Sequence, residues 1–232
     1  MGLGSAAARA LAPIARRTAP KFTSGYVRDI LERAIDGVGP FRGAVRAADA
    51  KLVAANGDVE AAIKSLADAH VRMAGVQGFV TNVGGLVTLA VSIPANVTGL
   101  ALLQCHVVAG IAHLRGYDLA DPRVRNAVLV CLLGESHVQS LVQKRKLPGG
   151  PMLLATSPVH DPQLDQMIGA HVTTQLLGKV GGRHAVIFVG RRVPVLGGGV
   201  GAVADAMATR SIATYAMAEL RERRNGATPA RT

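Results

Sequence analysis

The 232-residue sequence has no tryptophan, and aromatic residues make up only 3% of it. Proteins that hold single-stranded nucleic acid commonly stack its bases on aromatic faces, and neither a zinc-finger spacing nor an aromatic RNA-recognition motif is present. Nucleic acid is therefore a poor partner, even though the charge would suit it. Acidic residues are scarce as well: 15 Asp and Glu stand against 26 Lys and Arg, a net charge of +11. A surface of that sign attracts phosphate, and with nucleic acid set aside the headgroups of an anionic membrane are the better match. Of cysteines there are two, Cys105 and Cys131. Both lie in apolar runs where an unpaired thiol packs as a small hydrophobe, a pattern that points to a reducing, cytoplasmic location rather than to a disulfide framework.

The first acid is Asp29, preceded by Arg9, Arg16, Arg17, Lys21 and Arg28. Residues 1–22 thus read as a basic, flexible arm, similar in composition to a transit peptide or a surface-seeking leader, without the apolar stretch of a secretory signal. The opening "MGLGSA" has Ala where myristoylation needs Ser or Thr. Residues 225–232 read as a disordered tail, which leaves one domain over 23–224.

What the chain has in abundance is apolar residues at helical spacing. Ser24 can cap a helix whose stripe is Val27, Ile30, Leu31, Ala34 and Ile35, stopped by the glycines of "DGVGP". Val45, Ala48, Leu52 and Val53 form the next stripe, with Gly57 as its stop, and Asp58 caps a third helix. Asp121 followed by Pro122 is the strongest start signal in the chain. "LPGGPMLLATSPVHDP" reads as an irregular linker, Asp161 and Pro162 open a further helix, "GRHAVIFVGRRVP" suits either helix or strand, and a last long helix follows. The expected fold is all-α, a single multi-helix domain built around a glycine-rich apolar hairpin.

That hairpin occupies the stretch between Arg72 and Arg115, which contains no Lys, Arg, Asp or Glu. Pro94, in "IPAN", is expected to start its second helix and mark its tip. Phe79 to Ile93 is 15 residues, roughly 22 Å of helix, short of a bilayer core of about 30 Å. Ala95 to Leu114, at 20 residues, is long enough, yet it carries Asn96, Gln104, His106 and His113, each costly against lipid unless paired. A hairpin buried by other helices is the favoured reading. Shallow insertion is the alternative, with Leu89, Val91, Ile93, Pro94 and Val97 as the membrane-facing residues.

"GFVTNVGGLVTLAVSIPANVTGLALLQCHVVAGIAHLRGYDLADPRVRNAVLVCLLG" resembles the central signature of the EcsC protein family: a glycine-rich apolar helix, a proline, a helix ending in an "IAH..GYD" segment, and a "DP.VR" helix. "VPVLGGGVGAVADAMATRSIATYA" resembles that family's closing motif, and the matched segments together run from about Ile35 to Ala218. The resemblance implies a bacterial, cytoplasmic or membrane-associated helical protein, placed by the charge at the inner face of the membrane. It carries no catalytic residues over. The family pattern often has Arg at the position of His106 and Tyr at that of Arg115, so no shared polar constellation is implied.

Candidate chemistry is sparse. His106 and His113 lie seven apart, on one face of one helix, but too far along it to hold one ion by themselves, and no partner at ligand spacing accompanies them. No metal site and no cofactor is expected. Glu135 and His137 of "GESH" are further polar groups that the fold has to place. Asp205 is a lone acid in an apolar helix, which calls for a cation such as Arg210, or for a polar cleft with Gln104, His106 or His113. "GVGAVA", Gly199 to Ala204, matches a dinucleotide-binding glycine pattern, but too little chain follows to complete the βαβ unit. The basic clusters at 144–146, 190–192 and 221–224 read as solvated helix ends, or, if they converge, as a membrane-docking surface.

Three functions follow. The leading one is binding of an anionic membrane surface or a hydrophobic small molecule, with Gln104, His106, His113 and Asp205 as candidate ligand-binding residues. The second is an enzyme acting on a lipid-like substrate through Asp205 and His106 or His113. The third is a helical module that assembles with a transporter or with a second copy of itself.

Overall fold

The computed structural model describes residues 24–39, 41–83, 89–189 and 194–221. The arm expected over 1–22 and the tail over 225–232 lie outside them. The fold is all-α apart from one two-stranded ribbon. In chain order the elements are α1 (Ser24–Asp36), β1 (Gly37–Val38), β2 (Phe41–Arg42), α2 (Ala44–Ala54), α3 (Val59–Val83), α4 (Leu89–Leu114), α5 (Pro122–Cys131), α6 (Glu135–Gln143), α7 (Pro151–Thr156), α8 (Pro162–Val189) and α9 (Pro194–Glu219).

Start signals act where the sequence places them. Asp58 accepts from the Ala61 N–H at 3.0 Å at the head of α3. Asp121 accepts from the Arg123 N–H at 2.8 Å, with Pro122 as the first residue of α5. α2 ends where Asn56 turns left-handed at φ +53° and the Gly57 N–H, itself at φ +84°, donates back to the Leu52 carbonyl at 3.0 Å. The α1 stripe is buried at Val27, Ile30, Leu31 and Ala34. Val53 is a correction: it is 78% exposed, because α2 turns Ala44 and Ala48 inward instead. The "irregular" linker contains the short α7, and "GRHAVIFV" continues α8 as helix.

The two long rods α3 and α4 fold back on each other. Gln77 meets Gly99, His70 meets His106, and Leu66 meets Gly110, so the helices run antiparallel in a fixed register. The reversal is not at Pro94. α3 runs to Val83 and α4 is already helical at Leu89, so Pro94 lies inside a helix. Pro94 is the sixth residue of α4 and forgoes one bond, the one its nitrogen would have given to the Ala90 carbonyl.

α4 is the axis of the molecule: α1, α2, α3, α5, α8 and α9 all pack on it. Val97–Leu114 is long and apolar enough to cross a membrane by length and composition alone, and 72% of it is buried inside the protein. An all-round apolar helix is what a rod surrounded by other helices requires. On its other side α3 lies against α9, again antiparallel, along the small residues Gly75, Gly78, Gly201, Ala202 and Ala206.

Two glycines show what this closeness demands. A methyl on Gly78 would sit 2.8 Å from both the Gly201 carbonyl oxygen and Asp205 Oδ2, while one on Gly110 would meet the tip of the Leu66 side chain at 2.6 Å. Backbone cannot yield without parting the helices, whereas a leucine tip can shift. Both substitutions to Ala gain about 1 kcal/mol of helix propensity. In urea denaturation Gly78→Ala is expected to lose roughly 1–3 kcal/mol net through overpacking, and Gly110→Ala to stay within about 1 kcal/mol of the native chain.

Candidate functional site

Polar side chains inside the helical core fall into separate groups. One is a histidine pair. His70 on α3 and His106 on α4 are each 2% exposed. Nε2 of His70 stands 2.8 Å from Nδ1 of His106, with the rings offset, 4.8 Å between centroids and 27° between planes. The outer nitrogens reach carbonyls: His70 Nδ1 donates to Leu66 at 2.8 Å, and His106 Nε2 donates to Arg42 at 2.9 Å. Arg42 arrives there because the β1–β2 ribbon folds tightly at Gly37, whose φ of +95° and near contact with the Phe41 carbonyl leave no room for a side chain. Phe41 rests edge-on against the His106 ring, 5.3 Å between centroids. Burial pushes His70 down to about 4, against the pull of the Leu66 carbonyl and helped by the charges of His106 and Lys51. Burial lowers His106 as well.

A second group lies between α4 and α9. Gln104 Nε2 donates to Thr209 Oγ1 at 3.5 Å, and both residues are buried. Asp205, one turn before Thr209, is 1% exposed and faces Gly78 of α3. Arg210 is turned outward to Asp68 at 3.8 Å, so it is not the cation for Asp205. His113 is at the rim of the fold, where Nε2 is 2.7 Å from Asp49 Oδ1 of α2. The candidate residues are therefore dispersed: neither His106 nor His113 is hydrogen-bonded to Asp205, and Gln104 alone of the three shares its layer. His137 of "GESH" stands by itself too, 6.5 Å from the His171 ring of α8. Among the described residues no three His, Cys, Asp or Glu side chains gather as a metal ion would require.

Of the expected membrane-facing residues, Val97 is buried in the core at 3% exposure. The side chains of Leu89, Val91, Ile93 and Pro94 lie outside the described residues. Of the basic clusters, Lys144, Arg145 and Lys146 are exposed just past the end of α6, while 190–192 and 222–224 lie outside the described residues.

Above the histidine pair the surface opens into a groove of about 630 Å³ between α3, α4 and the ribbon. Its walls are Phe41, Ala69, Met73, Val76, Leu103 and the polar Gln77, and Arg72 stands in it as the charged group. Val76 is 64% exposed, large and apolar at the surface. No carboxylate among the described residues pairs with Arg72. Sequence reading passed over His70, although the signal was present: Ile63, Leu66, Ala67, His70 and Ala74 form one stripe at helical spacing, which puts the imidazole on the buried face. Phe41 and the Arg42 carbonyl depend on a ribbon that the "DGVGPFRG" stretch announced only as a stop.

The model of the EcsC protein family matches residues 57–224 of the chain. No curated protein and no solved structure matches it.

Both thiols are inert by placement. Burial pushes Cys105 up to about 12 and raises Cys131 further, so neither forms thiolate near neutral pH. The folded chain is expected to leave an aromatic disulfide reagent unreacted at about pH 8, and both thiols are expected to react once the chain is unfolded. Reaction of either in the folded chain would show that the core around α4 or α5 opens.

Proposed function

The chain belongs to the EcsC protein family, and on that footing we propose that it docks peripherally on anionic membranes at their cytoplasmic face, taking an acyl chain into the groove between α3 and α4. The observation that carries this reading is the groove's lining. Five apolar side chains and Gln77 share it with a guanidinium that no carboxylate among the described residues neutralises, which is the complement of an amphiphile with an anionic head. A volume of about 630 Å³ falls in the range of small-molecule sites. The net charge of +11 supplies long-range attraction to the same surface, and salt weakens such attraction between exposed charges.

Flotation with vesicles tests it. Binding is expected to phosphatidylcholine vesicles containing about one-third phosphatidylglycerol, to fall several-fold between low salt and ~0.5 M salt, and to be weak on pure phosphatidylcholine. Val76→Asp and Arg72→Glu, both at exposed positions, are expected to reduce binding without unfolding the chain. Equal binding to neutral vesicles, or full binding by both variants, contradicts the reading.

A further inference from the structure

The histidine pair fixes a proton count. Leu66 and Arg42 present carbonyl oxygens, which only accept, so His70 Nδ1 and His106 Nε2 must each carry a hydrogen. A neutral imidazole has one N–H. Two neutral rings use both on the carbonyls and turn bare lone pairs toward each other at 2.8 Å. The middle contact is a hydrogen bond only if a third hydrogen lies in it, and the pair then carries one positive charge. A fourth hydrogen would set two N–H groups head to head at the same distance.

We propose that His70 and His106 form a buried proton-binding site, holding one shared proton that ties β2 to α3 and α4, so that losing it breaks one of three hydrogen bonds and loosens the ribbon beside Phe41. The proposal does not depend on what occupies the groove. The surroundings limit the charge to one. Burial and Lys51, which faces the pair from α2, oppose any charge on it: His70 is pushed down to about 4 and burial lowers His106 as well, and the third hydrogen bond, with the Leu66 and Arg42 carbonyls, acts against them. From the ribbon come the Phe41 ring and the Arg42 carbonyl. Cys105, next along α4, is a neutral thiol. No carboxylate among the described residues contacts either ring to draw in further protons.

The sign of the pH dependence follows. An unfolded histidine titrates near 6.5. Below that value the unfolded chain takes up two protons against the pair's one, so stability falls as pH drops toward 4. The alkaline limb requires the third hydrogen bond to outweigh the burial that lowers both rings: above 6.5 the unfolded chain has lost both protons while the folded pair retains one, so stability falls again as pH rises through the pair's own pKa. Two buried neutral rings would give the acid limb alone.

Nitrogen-15 imidazole spectra of the full chain between about pH 4.5 and 8.5 count the hydrogens directly. The expected result is three protonated nitrogens out of four at the lower end, and one loss with a common midpoint seen on both rings. His106→Gln, which keeps a donor for the Arg42 carbonyl, is expected to abolish the alkaline limb, which in the native chain reaches at most about tenfold in the unfolding constant per pH unit. Two N–H groups throughout the range, or separate midpoints for the two rings, would overturn the proposal, as would alkaline limbs that run parallel in native and variant chains. Should His106→Gln fail to fold, the spectra of the native chain decide by themselves.

Discussion

How closely α3 can approach its two neighbours sets the rest of this structure. Gly78 lets α9 come near enough that a single methyl would collide with backbone, and Gly110 lets Leu66 sit against α4. Dispersion between atoms falls off within an ångström of contact, so small residues at the crossings are what turn three long apolar helices into one close-packed core. They also allow α4, which by composition would suit a bilayer, to bury 72% of Val97–Leu114 inside the protein. The hydrophobic effect acts equally on all apolar surface. Glycine and alanine at the crossings decide which apolar surfaces meet.

Closeness also governs where polar groups go. In a core this apolar an unpartnered polar group would cost several kcal/mol, and the two buried histidines and Asn126 are accordingly bonded in small local sets. His70 and His106 bridge two helices and a ribbon. Asn126, on α5, receives a bond from Arg28 of α1 at 3.0 Å and gives one to Asp165 of α8 at 2.5 Å, and His160 meets the same carboxylate at 3.0 Å. Each set joins elements distant in sequence, so each fixes the relative position of helices that hydrophobic burial by itself would leave free to slide.

Local patterns made the helices legible. Caps at Asp58 and Asp121, the stop at Gly57 and the stripe of α1 are short-range facts, and the chain obeys them. Pro94 was taken for the tip of the hairpin because a proline near a helix start is so often its first residue, yet the helix already runs from Leu89, five residues before it. Val53 was placed inside because its spacing fits a stripe, yet the α2 face that meets α4 is set by Gly110, fifty-odd residues on. Site residues were harder to read. Gln104, His106, His113 and Asp205 were selected as polar groups on apolar helices, and three of them are buried, but which of them meet depends on register between helices. The partner of His106 proved to be His70, and the partner of His113 proved to be Asp49.

Charge and grease are thus separated: cations at the surface, the longest apolar helix at the centre, and between them an open groove with one guanidinium. On the proposed reading such a molecule would meet a membrane without giving up its core. Amide hydrogen exchange resolved along α4, with and without anionic vesicles, tests this most directly. Val97–Leu114 is expected to contain the slowest-exchanging amides in the chain and to keep that protection when vesicles are added, while the amides around Met73 and Val76 slow down. Fast exchange across α4 in water, slowed only by lipid, would mean that the helix belongs to the bilayer, and would contradict the close-packed core on which the structure rests.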